Sequence, residues 1–423
     1  MTHSPSSDSP PPPHPRVTSV DALRGFVMFM MIFVNDLASA GRVVPDSMVH
    51  FSDRHAKGSG MTFVDLVFPA FLFIVGMSIP LAFGSRAERG QPAWRSLSHI
   101  LGRTLSLLTV GILMVHETPD AATMGWSGNL WCVLMYLSSI AAFCSFAPAG
   151  VLSEAERKRW QTFSLGVRWL GRLALLTLAL VFRDTQGGRI LSLYPLSLST
   201  QWYGILGLIG WAYLVACLVF LTFSHHRTAI LGCLALLMCL FPADRAGAFE
   251  GFWLARIVGI GDVLGALPAI SVAGLLLGSM VSQAESISLT ARAKFTLWFV
   301  AGCSAAALLL HPLYGISKNQ ATPSWCFWSC AITATAWFIF HLACEVRPSP
   351  TLTRPLVLAG HNVLLAYLLS EMVPGLLAAL GWAGAYGNLA ANLPAAITRS
   401  TLCAVVILFV SVGLNRIGFR LRL

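Results

Sequence analysis

His-Phe-Ser-Asp-Arg-His-Ala-Lys-Gly-Ser-Gly-Met-Thr-Phe-Val-Asp-Leu-Val-Phe-Pro-Ala-Phe-Leu-Phe-Ile-Val-Gly-Met-Ser-Ile-Pro, residues 50–80, opens as a polar loop with two histidines and closes as an apolar run long enough to cross a bilayer. The change of character falls at Thr62. With Asp65 three residues on, it forms a capping-box pattern, in which the hydroxyl takes an amide of the first turn and the carboxylate reaches back to the cap amide. Pro69 removes a backbone donor inside the run and predicts a kink. The junction of this loop with this helix is where polar chemistry meets the membrane.

The rest of the chain repeats the apolar half of that pattern. Of 423 residues, 56% are hydrophobic and 11% charged, with a mean hydropathy of +0.71. A soluble domain carries roughly a quarter charged residues, so the composition predicts an all-α, polytopic transmembrane helical bundle. Residues 1–15, rich in Pro and Ser, read as a disordered tail, and 16–423 as a single membrane domain. Apolar runs lie at about 17–38, 62–83, 98–116, 127–147, 164–183, 202–224, 228–241, 262–283, 295–312, 324–345, 356–380 and 400–418, which gives about twelve spans, ten at the least. The seventh is short enough to be tilted or re-entrant. With the N-terminus in the cytoplasm, 19 of the 28 Lys and Arg residues fall on the inner side, so both termini are expected there. The same bias accounts for the net charge of +10 without any nucleic-acid partner. The cysteines lie mostly within apolar runs. Cys326 and Cys330 lack the second Cys or His pair of a zinc site, so no metal is expected. No internal repeat is evident.

His55-Ala56-Lys57-Gly58-Ser59-Gly60-Met61-Thr62 followed by Asp65-Leu66-Val67-Phe68-Pro69 resembles the signature of the heparan-α-glucosaminide N-acetyltransferase family and its bacterial relatives. The likeness extends to Ser19-Val20-Asp21-Ala22-Leu23-Arg24-Gly25 and Val34-Asn35, with weaker echoes at Lys318 to Ser324 and Gly360 to Tyr367. It is dense over the first eighty residues and patchy beyond. It implies a multi-pass enzyme of the bacterial inner membrane that forms a homodimer. Such an enzyme moves an acetyl group from cytoplasmic acetyl-CoA to an amino sugar or glycan on the far side.

The resemblance places the active-site histidine at His55, five residues before Gly60, and an active-site amide at Asn35. His50 is the competitor, because the loop from Asn35 to His55 is longer here. A histidine titrates near neutral pH and can take a proton from an amine or carry an acyl group. Asp65 is explained by its cap and can also orient a histidine. Asp21 and Arg24 lie eleven to fourteen residues before Asn35. Arg24 is thus about 16 Å away along a helix, the scale of a pantetheine arm. A guanidinium there suits a phosphate. Lys318, basic on the unfavoured side, is a further candidate for donor contact, as are Asn362, Tyr367 and Glu371, polar groups within an apolar span. A secondary transporter is the alternative that such a bundle also fits.

Overall fold

Every one of the twelve apolar runs folds as a helix or a pair of helices. The computed structural model describes residues 17–55, 58–88, 92–116, 118–147, 153–282 and 288–421. The N-terminal tail and the Ala56-Lys57 pair of the motif lie outside them. The helices in chain order are α1 (Thr18–Ala38), α2 (Phe51–Arg54), α3 (Val67–Glu88), α4 (Ala93–Met114), α5 (Ala121–Met124), α6 (Gly128–Phe143), α7 (Glu154–Val181) and α8 (Gly204–Phe223). There follow α9 (Arg227–Arg245), α10 (Leu267–Val281), α11 (Leu289–Tyr314), α12 (Pro323–His341), α13 (Pro350–Ala359), α14 (Val363–Ala379), α15 (Ala383–Asn388) and α16 (Leu393–Arg416). Among the described residues nine helices are long and apolar enough to cross a membrane, or ten if the bent α13–α14 pair is one span.

The two remaining runs show why the count falls below twelve. Helix α1 carries Asp21, Arg24 and Asp36 within its 21 residues. Helix α6 has 16 residues, about 24 Å, short of a hydrocarbon core of about 30 Å. The seventh run is a full helix of 19 residues, α9, rather than a short segment.

Three local expectations are corrected. Pro69 falls in the first turn of α3, just after a 3-10 turn at Phe63–Leu66, where its missing donor costs no helical bond. Thr18, whose spacing to Asp21 repeats the Thr-x-x-Asp capping pattern of Thr62 and Asp65, does not cap α1. Asp21 is held by Arg24, and the amide of Ser19 donates to Glu345 Oε1 at 2.8 Å, so the helix is capped from 326 residues away. The span at 356–380 is not one helix: it breaks at Gly360–Asn362 with a bend of 73°.

Packing explains that break. A side chain at Gly25 would overlap the carbonyl of Leu356, and one at Gly360 the carbonyl of Asp21, so α1 and α13 cross backbone to backbone. Asn362, 6% exposed, is consumed by the break. Its Nδ2 donates to the Phe419 carbonyl at 3.3 Å, its Oδ1 accepts from the Leu421 amide at 3.4 Å, and its carbonyl accepts from Ser411 Oγ. The chain's last strand, β4 (Phe419–Leu421), is held there and pairs antiparallel with β1 (Cys144–Phe146). A second small ladder joins β2 (Leu191–Leu198 register, strand Leu191–Leu193) to β3 (Leu196–Leu198). The best-buried span is α10, all 15 of whose residues are buried, packed on α3, α8, α9 and α12.

Candidate active site

At the end of the bundle where α1 finishes and α3 begins, the capping box forms as the sequence implies. Thr62 N donates to Asp65 Oδ2 at 3.0 Å, and Val64 N donates to Thr62 Oγ1. The cap does not exhaust the carboxylate. Asp65, 1% exposed, also accepts from Phe51 N at 3.1 Å and pairs through Oδ1 with His50 Nδ1 at 2.8 Å. Because an ionised carboxylate only accepts, Nδ1 of a neutral His50 bears the proton and Nε2 is left with a lone pair.

Lys318 completes the group. Its Nζ lies 3.1 Å from His50 Nε2 and 3.3 Å from Nδ1. A point almost equidistant from the two ring nitrogens lies over the ring face, so the amine does not occupy the in-plane lone pair of Nε2. Burial pulls the Lys318 pKa below the ordinary lysine value, and the nearby Asp65 and Asp53 pull the other way. The 315–322 loop that carries Lys318 is stapled to the motif loop. Ile316 N donates to Ser59 Oγ at 2.8 Å, and Gly60 N donates to the Ile316 carbonyl at 2.9 Å. The Trp325 indole donates to the Asp65 carbonyl.

His55 stands elsewhere. It is exposed at the C-terminal end of α2, its ring 4.8 Å from that of Phe51, with no hydrogen bond from its imidazole to a described residue. The structure therefore joins Asp65 and Lys318 to His50 rather than to His55.

The other sequence candidates separate into two ends joined by α1. Asn35 Nδ2 donates to Glu371 Oε1 at 3.0 Å, bringing together two residues 336 apart. At the opposite end Arg24 donates to Asp21 at 2.7 Å, to Ser78 Oγ at 2.7 Å and to the Gly360 carbonyl at 3.4 Å. Between them lies a cavity of about 500 Å³ that begins at Arg24, Ser78 and His361 and reaches Met31 and Tyr367. Asn35 is four residues beyond Met31, and Glu371 four beyond Tyr367. The next helical turn of each wall thus carries one partner of the Asn35–Glu371 pair. A second cavity of about 500 Å³ adjoins at the Arg24 end, lined by Asp21, His361, Asn415 and Arg420.

Sequence reasoning passed over one cluster here. Asp36 Oδ2 accepts from Arg399 Nε at 3.1 Å and Ser400 Oγ at 2.6 Å, and its Oδ1 accepts from Tyr386 OH at 2.7 Å. Arg399 also stacks on Tyr386. Asp36, a charge inside the apolar run 17–38, was the available signal, since such a charge needs a partner in the bundle.

Residues 16–250 match a family model described as "Domain of unknown function (DUF5009)". Over 112 residues the chain is 36% identical to the heparan-alpha-glucosaminide N-acetyltransferase of Homo sapiens. Over 111 residues it is 32% identical to the protein of the same name from Mus musculus. Each match covers 26% of this chain and spans only 16% of the relative's length.

Proposed function

The chain belongs to the DUF5009 family, and from that premise and the site's geometry we propose that it is a membrane-embedded acetyltransferase. Acetyl-CoA enters from the cytoplasm at the Arg24 end, and the acetyl group leaves on an amino sugar or other glycan amine at the Asn35 end. The observation that carries this reading is the cavity along α1, which runs from a guanidinium to within one turn of the Asn35–Glu371 pair. The names of the two relatives support acetyl transfer to an amino sugar as the chemistry.

In this reading the nucleotide stays near Arg24 and the pantetheine arm lies in the apolar part of the cavity. The second N–H of the Asn35 amide polarises the thioester carbonyl. His50 Nε2 takes the proton of the attacking amine while Asp65 holds Nδ1–H. The new C–N bond forms as the C–S bond breaks, and the proton passes to the departing CoA thiolate. Lys318 over the imidazole face adds positive potential beside the developing oxyanion. His55, which the motif register indicates, sits at the mouth of the same loop and is the rival for the base.

Turnover of labelled acetyl-CoA by the purified full chain in liposomes, with a panel of amino sugars, tests the reading. His50→Ala is expected to lower kcat by about 10²–10⁴-fold, the usual worth of a general base, and His55→Ala by less than about tenfold. The reverse order moves the role to His55. The 73° break in the α13–α14 span favours one other reading, since broken helices line transport paths. A wild type that neither binds nor hydrolyses acetyl-CoA sinks the enzyme and leaves a secondary transporter.

A further inference from the structure

Arg103 is the eleventh residue of α4, about 15 Å into the helix. Its Nε is buried and has no hydrogen-bond partner among the described residues. Its guanidinium lies 4.7 Å over the ring of Tyr213. A charge inside a membrane span is expensive, and buried polar groups in native structures find partners. An orphan of this kind points to a group that binds there.

The surroundings say which kind. Arg103 lines the same cavity of about 500 Å³ as Arg24, His99 and His361, and among the described residues no Asp or Glu lines it. Asp21 is drawn off toward the adjoining cavity, paired with Arg24. This cavity therefore carries two guanidiniums and two imidazoles together with an apolar wall that includes Met31, Phe71 and Ile209. The Tyr213 ring beneath the guanidinium restrains its position, and a planar guanidinium fork suits two oxygens of one phosphate.

We propose that Arg103, stacked on Tyr213, is the anchor of a phosphate-binding site inside the bundle, with Arg24, His99 and His361 around the same anion. Resting on the acetyltransferase reading, the ligand is the phosphate at the head of the donor's pantetheine arm. The other source of the same chemistry is an anionic lipid headgroup. The site sets the depth of the donor: an uncharged arm anchored at Arg103 extends along the apolar wall toward Met31 and Tyr367.

The test is binding, not turnover. CoA, dephospho-CoA and pantetheine are titrated calorimetrically into the purified full chain, as wild type, R103Q and R103K, each with a melting curve to confirm its fold. The amount of co-purifying phosphatidylglycerol is read in parallel by native mass spectrometry. Expected is a loss of tenfold or more in CoA affinity for R103Q, the order of a charge-assisted hydrogen bond. The loss is smaller for R103K, and weak pantetheine binding does not change. Retained CoA affinity with loss of bound phosphatidylglycerol in R103Q also supports the anion site and assigns it to a lipid. CoA binding and lipid content both insensitive to R103K and R103Q overturn the site and leave the acetyltransferase reading intact. Should R103Q not fold, R103K decides. A wild type that binds no CoA yet holds phosphatidylglycerol through Arg103 does the opposite: the site stands and the proposed donor falls.

Discussion

Asp65 shows how one side chain ties local folding to chemistry. It closes the capping box that starts the second apolar run, and the same carboxylate receives His50 and the Phe51 amide. Asp65→Asn keeps the shape but turns one acceptor oxygen into a donor facing N–H groups. That leaves a buried mismatch worth about 1–3 kcal/mol, so the expected result is a lower melting temperature together with lost turnover. Lys318 makes a separate prediction from its depressed pKa. Its unfolded form holds a proton at pH values where the folded form has begun to lose it. Stability therefore rises with pH as the solution climbs through the depressed folded pKa toward the ordinary lysine value. Lys318→Met removes that pH dependence. The melting-temperature gain of the variant over wild type, measured in detergent, should be largest near neutral pH and shrink in alkali. A pH-independent difference would sink the assignment.

Among the elements, α1 is the axis that the others are fitted to. It packs on α3, α12, α13, α14 and α16, and it carries site residues at both ends. Its start is capped by Glu345, itself held by His341 at 2.9 Å, and its middle is crossed by α13 through Gly25 and Gly360. Gly360→Ala puts a methyl group into the Asp21 carbonyl and is expected to cost about 1–3 kcal/mol through the forced separation of the two helices, read as a lower melting temperature. The same change at Gly381, whose surroundings are open but whose φ is +74°, tests only backbone strain and serves as the control.

For the whole molecule, the Asp36–Arg399–Tyr386 group, in which Arg399 is buried and its two partners half-buried, joins the end of α1 to α15 and α16, next to Asn35. Removing one charge of a buried pair strands the other. Arg399→Met is therefore expected to destabilise by about 3–5 kcal/mol, visible as earlier thermal unfolding, whereas a double Asp36→Asn, Arg399→Met change recovers much of it. Much of this architecture was legible beforehand, because membrane crossing demands long apolar runs, and all twelve runs at 17–38 through 400–418 fold as helices. The bend at Gly360–Asn362 was not legible. It follows from contacts with residues 21 and 419–421, far away in the chain.

By itself the sequence determined that the chain is a helical membrane bundle and that a helix opens at Thr62 and Asp65. Those are properties of composition and of neighbours a few residues apart, where hydrophobic period and capping act. Only the tertiary structure decided that His50 rather than His55 meets Asp65, that Lys318 lies over its ring, that Asn35 bonds Glu371, and that Asn362 serves the chain's end rather than the cavity wall alone. Each of those choices is a contact between side chains brought together by helix packing. No spacing along the chain encodes which of two loop histidines, five residues apart, turns inward.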